Sequence, residues 1–348
     1  MLINDLLKIA VDRNASDLHL KVGVHPVIRV DGALIPLAEL RPLMQEEAVA
    51  MAFSIMSARQ KEKFKNNFEI DIAYSVPSLG RFRCNIFQQR GTVGLVLRVI
   101  PQTIRTIREL VLPPVIEKIC QEQRGLVLCT GTTGSGKSTT LAAMIDLINR
   151  EQAVHIITIE DPIEYVHRHQ RAMVVQREVG SDTLDFARGL RAALREDPDV
   201  VLVGEMRDLE TVTATLTLAE TGHLVFATLH TNDTAQAIDR MIDVFPTGQQ
   251  RQVQLQLSQT LLAVLHQRLL PRADGTRRIA AFEVMVATPA VRNLIKEGKT
   301  NQLRNVVATG AAAGMRTLEA DLRRLVQEGA ISSAVAGRAT LRPEEVMV

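Results

Sequence analysis

The chain has 348 residues, with 41 Lys and Arg against 39 Asp and Glu, a formal charge of +2. At roughly 100–200 residues per domain that length suggests two or three domains, and 46% apolar with 23% charged residues excludes a disordered chain. The balanced charge and the scarcity of aromatics (nine Phe, two Tyr, no Trp) argue against a nucleic-acid binder, which needs a basic surplus and stacking surfaces.

Residues 1–14 are interrupted by Asp5, Lys8 and Asp12, so they form no signal-peptide core, and no run of 18 apolar residues exists to span a membrane. Cys84, Cys120 and Cys129 show no C-x-x-C pair and form neither a disulfide framework nor a zinc site. The expected compartment is the cytosol. Leu2, Leu6, Leu7 and Ile9 suit an amphipathic helix. Val27–Val30 runs into the turn signal Asp31-Gly32 and then Leu34-Ile35, and residues 45–64 read as one helix. Glu69–Val76 alternates with its even positions apolar. In 81–87, Phe82, Cys84 and Ile86 share one strand face and Arg81 and Arg83 the other, and a strand from Leu95 to Ile100 carries Arg98. These patterns predict a small α+β domain over 1–100. Pro101 and Pro113-Pro114 bracket a stretch, 101–114, that reads as an interdomain linker because proline supplies no backbone donor.

From 115 to 348 the pattern is a second domain. Apolar strands at 126–130, 154–159, 200–203 and 224–229 alternate with helices at 137–150, 183–196, 209–221 and 233–245, which predicts an α/β fold with a parallel sheet. Beyond 245 the chain reads as mainly helical, apart from Ile279–Val286.

Between the first of these strands and its helix stands Gly131-Thr132-Thr133-Gly134-Ser135-Gly136-Lys137-Ser138, followed by Thr139, a full match to G-x-x-x-x-G-K-[ST]. The glycines let successive N–H groups turn inward around anionic oxygens, and the helix N-terminus adds partial positive charge. Lys137 is placed to reach the β- and γ-phosphates and the Ser138 hydroxyl to ligate Mg²⁺, so the motif predicts a nucleoside triphosphate site. Val200–Val203 ends in Gly204-Glu205, the shape of a Walker B strand with glycine in place of the usual aspartate; that leaves Glu205 to hold the hydration shell of Mg²⁺. A second acidic cluster, Glu160-Asp161-Pro162-Ile163-Glu164, follows the preceding strand. Spacing alone leaves Glu160 and Glu164 equally open as the group that activates water. His223 and His230 flank strand 224–229, and by themselves read as structural histidines.

Taken together, the glycine loop, the acidic box 159–164, the glycine-glutamate strand end and the box from Thr221-Gly222-His223 through His230 resemble the secretion-type ATPases that power type IV pili and type II secretion. The resemblance covers roughly residues 120–245. It implies ATP as substrate, Mg²⁺ as cofactor, and a RecA-like core behind a PAS-like N-terminal domain, assembled as a homo-hexamer. It assigns the catalytic base to Glu164 and the Mg²⁺ side to Glu205, and puts His223 and His230 near the γ-phosphate or at subunit contacts. Within the family the chain is similar to the pilus retraction branch. Only one domain precedes the core, the tetracysteine zinc module of assembly ATPases is absent, and Ala290-Val291-Arg292-Asn293-Leu294-Ile295-Lys296-Glu297 resembles the retraction motif A-I-R-N-L-I-R-E. It departs at Val291 and at Lys296, where lysine cannot reproduce bidentate arginine pairing.

Read locally, that segment is a helix capped by Thr288, with Pro289 first and Gly298 ending it. Val291, Leu294 and Ile295 then face the core, with Arg292 and Lys296 on the exposed side. In a ring, Arg81, Arg83 and Arg98 become candidates for an arginine supplied in trans, a device worth about 10³–10⁵ in rate. The expectation is therefore a cytosolic motor at the inner-membrane pilus base, contacting a platform protein, with domain closure about 101–114 driving retraction and twitching motility. The rivals are an assembly or type II secretion ATPase, a nucleotide-sensing regulator that does not hydrolyse, and a RecA-like DNA translocase.

Overall fold

The computed structural model describes residues 1–101, 103–275 and 277–346; residue 102 of the expected linker lies outside the described residues. The chain divides into two compact units, residues 1–103 with 164–166, and residues 104–163 with 167–348. Residues 104–114, expected as linker, group with the second unit, where Ile107 and Leu112 are buried in a cluster with Ile116 and Ile119.

The first unit runs α1 (Ile3–Asp12), β1 (Asp17–Leu20), β2 (Val27–Val30), β3 (Ala33–Pro36), α2 (Gln45–Ser54), α3 (Ala58–Asn67), β4 (Glu69–Val76), β5 (Gly80–Gln89) and β6 (Thr92–Val99). Its strands form one antiparallel sheet in the order β3-β2-β1-β6-β5-β4. The spacing of Ile3, Leu6, Leu7 and Ala10 gives α1 one apolar face, which packs with Leu18, Phe82, Cys84, Ile86 and Leu95. The helix expected over 45–64 is two helices. Ser57 ends the run and opens α3 by accepting from Gln60 N, while the Gln60 side chain accepts from Ser57 N, so the local capping box overrides helical continuity.

The second unit runs α4 (Val115–Ile119), β7 (Gly125–Thr130), α5 (Lys137–Glu151), β8 (His155–Glu160), β9 (Met173–Glu178), α6 (Phe186–Ala193), β10 (Val200–Val203), α7 (Leu209–Glu220), β11 (Leu224–Leu229), α8 (Thr234–Asp243), α9 (Thr247–Thr260), β12 (Leu261–Pro271), β13 (Arg278–Val286), α10 (Pro289–Glu297), α11 (Leu303–Thr309), α12 (Leu318–Gln327) and α13 (Ser333–Arg338). The sheet order is β13-β12-β7-β11-β10-β8-β9, parallel except for β13. Its central strands are mainly apolar because both faces are covered: Leu126, Leu128, Ile157, Val201 and Val225 point into one core, and Val127, Cys129, Ile156, Leu202 and Phe226 into the other. Two strands depart from the sequence reading. β12, expected as helix, is an eleven-residue strand held between β7 and β13, and β9 adds an edge that no expected strand covered. No helix among the described residues is long and apolar enough to cross a membrane.

Candidate active site

Parallel strands bring their C-terminal ends to one edge, where the loops that follow them gather. Across that edge the sheet order delivers the glycine loop after β7, His230 after β11, Glu205 after β10 and Glu160 at the end of β8. At about 4.8 Å per strand, Glu205 stands roughly 10 Å across the sheet from the β7 end.

The loop takes the form the motif predicts. Gly131, Gly134 and Gly136 all have positive φ, at 139°, 78° and 91°, a region glycine enters without the Cβ penalty. Gly136 directly precedes α5, so the loop ends on a helix N-terminus. Lys137 is buried and folds back over the loop, its Nζ donating to the carbonyls of Gly131 at 2.8 Å and Thr132 at 3.0 Å. The Ser138 hydroxyl is exposed on the first turn of α5, and Thr139 follows it half-buried. Ser135 is 3% exposed with its Oγ unpartnered, a polar atom held inside a cradle for anionic oxygens.

Glu205 is fixed from both sides. Thr228 of β11 donates its hydroxyl to Gly204 O at 2.5 Å and accepts from Met206 N at 3.1 Å, which extends the β10–β11 pairing past Glu205. Asp208 then caps α7 through Thr211 N and its hydroxyl. The Glu205 carboxylate pairs with Arg207 at 2.7 Å and lies 3.7 Å from His230 Nε2. Arg207 is the residue sequence reasoning missed; its one signal is a charge two positions after Glu205. The loop behind His230 is also pinned. Glu283 Oε1 accepts from Thr234 N at 3.0 Å and from the Thr234 hydroxyl, and Asp233 caps α8 through Gln236 N. Burial raises the Glu283 carboxyl above the usual range, against the opposing pull of those Thr234 bonds.

Gly204 has a steric reason. A Cβ there would meet Ile159 O at 3.1 Å, Glu160 Cα at 3.2 Å and the Phe186 ring at 3.3 Å. Glu160 itself is held by the Thr158 hydroxyl at 2.6 Å and by Gln176 Nε2 at 3.0 Å. Glu164 is exposed and groups with the first unit, whereas the second unit brings together Lys137, Glu205, Arg207 and His230.

His223 is not with them. β11 separates it from His230 by its whole length, roughly 20 Å at about 3.3 Å per residue. His223 O accepts from Gly125 N at the start of β7, and its Nδ1 lies 2.9 Å from Leu218 O, at the end of α7. Its expected place near the γ-phosphate in the same chain therefore fails. The same edge carries a cavity of about 360 Å³ lined by Glu122, Arg124, Gly125, Glu220, Thr260 and Arg292. Arg292 belongs to the segment Ala290–Glu297, which is helix α10 as expected: Thr288 caps it at Val291 N, Gly298 ends it with φ 70°, and Val291 and Ile295 are buried. One part of that reading changes. Arg292 does not share an exposed face with Lys296; it is half-buried and donates to the carbonyls of Ser258 and Gln259, the last turn of α9. Asn293 instead binds Glu297 at 3.0 Å.

In the first unit, Arg83 and Arg98 face each other across β5 and β6, and Arg81 lies one alternation further along the same face. Arg98 donates to Asp17 at 2.8 Å, with Arg29 on Asp17's other side at 4.0 Å, while Arg83 lies 3.8 Å from Asp71. Burial of Asp17 opposes ionisation, but Arg98 and Ser16 outweigh it and hold the carboxyl below the usual range.

The fold and this edge define a class: a RecA-like P-loop ATPase core behind a smaller α+β domain. The type II/IV secretion system protein family model matches residues 1–342. The type IV pilus retraction ATPase PilT of Pseudomonas aeruginosa is 48% identical over 342 residues, 98% of this chain and 99% of the relative. A twitching motility protein of Neisseria gonorrhoeae is 47% identical over 321 residues, 92% of this chain and 86% of the relative. The crystal structure of the pilus retraction motor PilT with bound ADP matches 100% of this chain and 99% of that one, with 45% identity and a TM-score of 0.93. This chain belongs to the type II/IV secretion system family, in its PilT branch.

Proposed function

We propose that this chain is the subunit of a hexameric, cytoplasmic motor that hydrolyses ATP to retract a type IV pilus, working against a platform protein at the inner-membrane pilus base. The observation that carries this reading is the pairing of an intact phosphate loop with Glu205 and His230 on one sheet edge, in a chain similar end to end to a retraction ATPase. The loop amides and Lys137 grip the phosphates, for which Lys137 exchanges its two carbonyl partners for phosphate oxygens. Ser138 and Glu205 fit Mg²⁺, a cation that keeps several waters and shares itself with phosphates; no cluster of three His, Cys, Asp or Glu that could hold a metal occurs among the described residues. When bound, Mg²⁺ neutralises charge on the transferred phosphoryl group. The family resemblance alone, with no geometry beside it, gives Glu164 the proton of the attacking water. His230 and Arg207 hold the Glu205 carboxylate in register. An arginine among Arg81, Arg83 and Arg98 of a neighbouring copy stabilises the developing charge. For Arg98 that role requires leaving Asp17.

Steady-state phosphate release tests the core of the reading. Lys137→Ala should keep its circular dichroism spectrum and lose about 10²–10³ in rate, and parental turnover in that variant would sink the assignment. Mixing Lys137→Ala subunits with Arg81→Ala/Arg83→Ala subunits should restore activity if the site is completed between copies. A deletion strain that becomes hyperpiliated and stops twitching supports retraction over assembly; one that loses its pili supports the assembly motor.

A further inference from the structure

We propose that Gln267 is a positioning residue for nucleotide binding, setting the shape of the phosphate loop from the neighbouring strand. This rests on the reading of 131–138 as the phosphate site. β12 pairs with β7 up to His266↔Thr130, so Gln267 emerges beside Gly131, where β7 ends. It is 2% exposed. Its contacts account for two of the loop's glycines by contact as well as by conformation. A Cβ on Gly131 would lie 2.4 Å from Gln267 O, and a Cβ on Gly136 would lie 2.7 Å from Gln267 Nε2. The first approach is to main chain and the second to the end of the Gln267 side chain, so the entrance and the exit of the loop are each drawn against the same residue.

A third contact reaches the helix. Gln267 Oε1 accepts from the Thr140 hydroxyl at 2.8 Å, and Thr140 is buried on the first turn of α5. A threonine inside a helix commonly returns its hydroxyl to the carbonyl four residues back. Here the Gly136 carbonyl keeps only the ordinary backbone bond from Thr140 N, at 3.0 Å, and the hydroxyl goes to Gln267. The side-chain amide thus references the loop's last glycine and the start of α5, while the main-chain carbonyl of the same residue closes on the first glycine. A loop whose N–H groups must converge on a polyphosphate gains affinity from such preorganisation, because less ordering is left for the ligand to do.

The test is ADP affinity by titration calorimetry on the full chain, alongside kcat and KM for ATP, in Gln267→Leu, Thr140→Val and the double variant. Thr140→Val keeps the side-chain shape and removes only the hydroxyl. Each single change should weaken ADP binding about tenfold, the equivalent of one buried hydrogen bond and its unpaired partner. KM for ATP should rise in step while kcat at saturation stays within about threefold, since no chemical group is lost. The double variant should bind about as weakly as either single one, because both remove the same bond. A role in packing alone lowers the melting temperature and leaves affinity unmoved, and that result overturns the proposal. Should Gln267→Leu fail to fold, parental affinity in Thr140→Val overturns it by itself. A parent that binds no ADP defeats the phosphate-loop reading and this inference with it; a parent that binds, with variants that match it, defeats only the inference.

Discussion

The two ends of β11 carry the two histidines of one sequence box, and they sit in different chemical worlds. At the C-terminal end His230 approaches Glu205, which Thr228 and Arg207 fix in place beside the phosphate loop. At the N-terminal end His223 binds the last turn of α7 and the start of β7, next to the cavity lined by Arg124 and Arg292. A parallel sheet points every strand the same way, so it collects reactive groups at one edge and leaves the other for contacts. Proximity in sequence says nothing about which edge a residue reaches; the count of strand residues between them does.

That contrast can be broken or sharpened by measurement. The largest effect should come from Glu205→Gln, which keeps the shape and removes the charge that Arg207 and His230 surround. We expect phosphate release to fall about 10²–10³-fold with little change in ADP affinity; a loss under tenfold would move the metal side of the site elsewhere. His230→Ala should cost about tenfold, as the loss of one group that orients a charged partner. His223→Ala should change hydrolysis by the purified chain by less than about twofold, because its partners lie a strand length away. Equal losses in the two histidine variants would erase the distinction between the edges.

A separate effect, on stability rather than turnover, depends on pH. Burial pushes His266, beside Thr130 at 3.2 Å, down to about 4, with Arg268 and Lys137 adding to the shift and Glu319 opposing it; burial does the same to His167, also to about 4. Both therefore stay neutral in the folded chain at pH values where the unfolded chain, near 6.5, already takes up protons. Stability is then complete above about pH 6.5 and declines as pH falls toward 4, by up to about 3 kcal/mol per histidine. Denaturant melts from pH 7 to 4.5 should show this slope, and it should shrink in His266→Gln and His167→Asn. An unchanged slope in both variants would assign the acid sensitivity to carboxylates instead.

The phosphate loop was legible because its chemistry is local: glycines, lysine and serine at fixed spacing between a strand and a helix. The α10 cap was legible for the same reason, since Thr288, Pro289 and Gly298 act within one turn. β12 was not, because Leu, Ala, Gln and Arg are good helix formers and Leu261–Pro271 becomes a strand only by lying between β7 and β13. Arg292 was misplaced for a related reason: helical spacing put it on the outer face, and the carbonyls of Ser258 and Gln259 drew it inward. The separation of His223 from His230 was present in the expected strand 224–229, yet reading the two as one box hid it. Gln267 had no local signal at all, since its partners Gly131, Gly136 and Thr140 are brought to it only by the β7–β12 pairing.

The glycine at 204 makes one route of change tight. Its missing Cβ is matched to Ile159 O and Glu160 Cα, which are main-chain atoms of β8 and cannot swing aside as a side chain would. Installing an aspartate there, to recreate the two-acid arrangement of other phosphate-loop enzymes, would require the β8 main chain to give by a few tenths of an ångström. A second acid beside Glu205 therefore has to be accommodated by main chain rather than by a rotamer change.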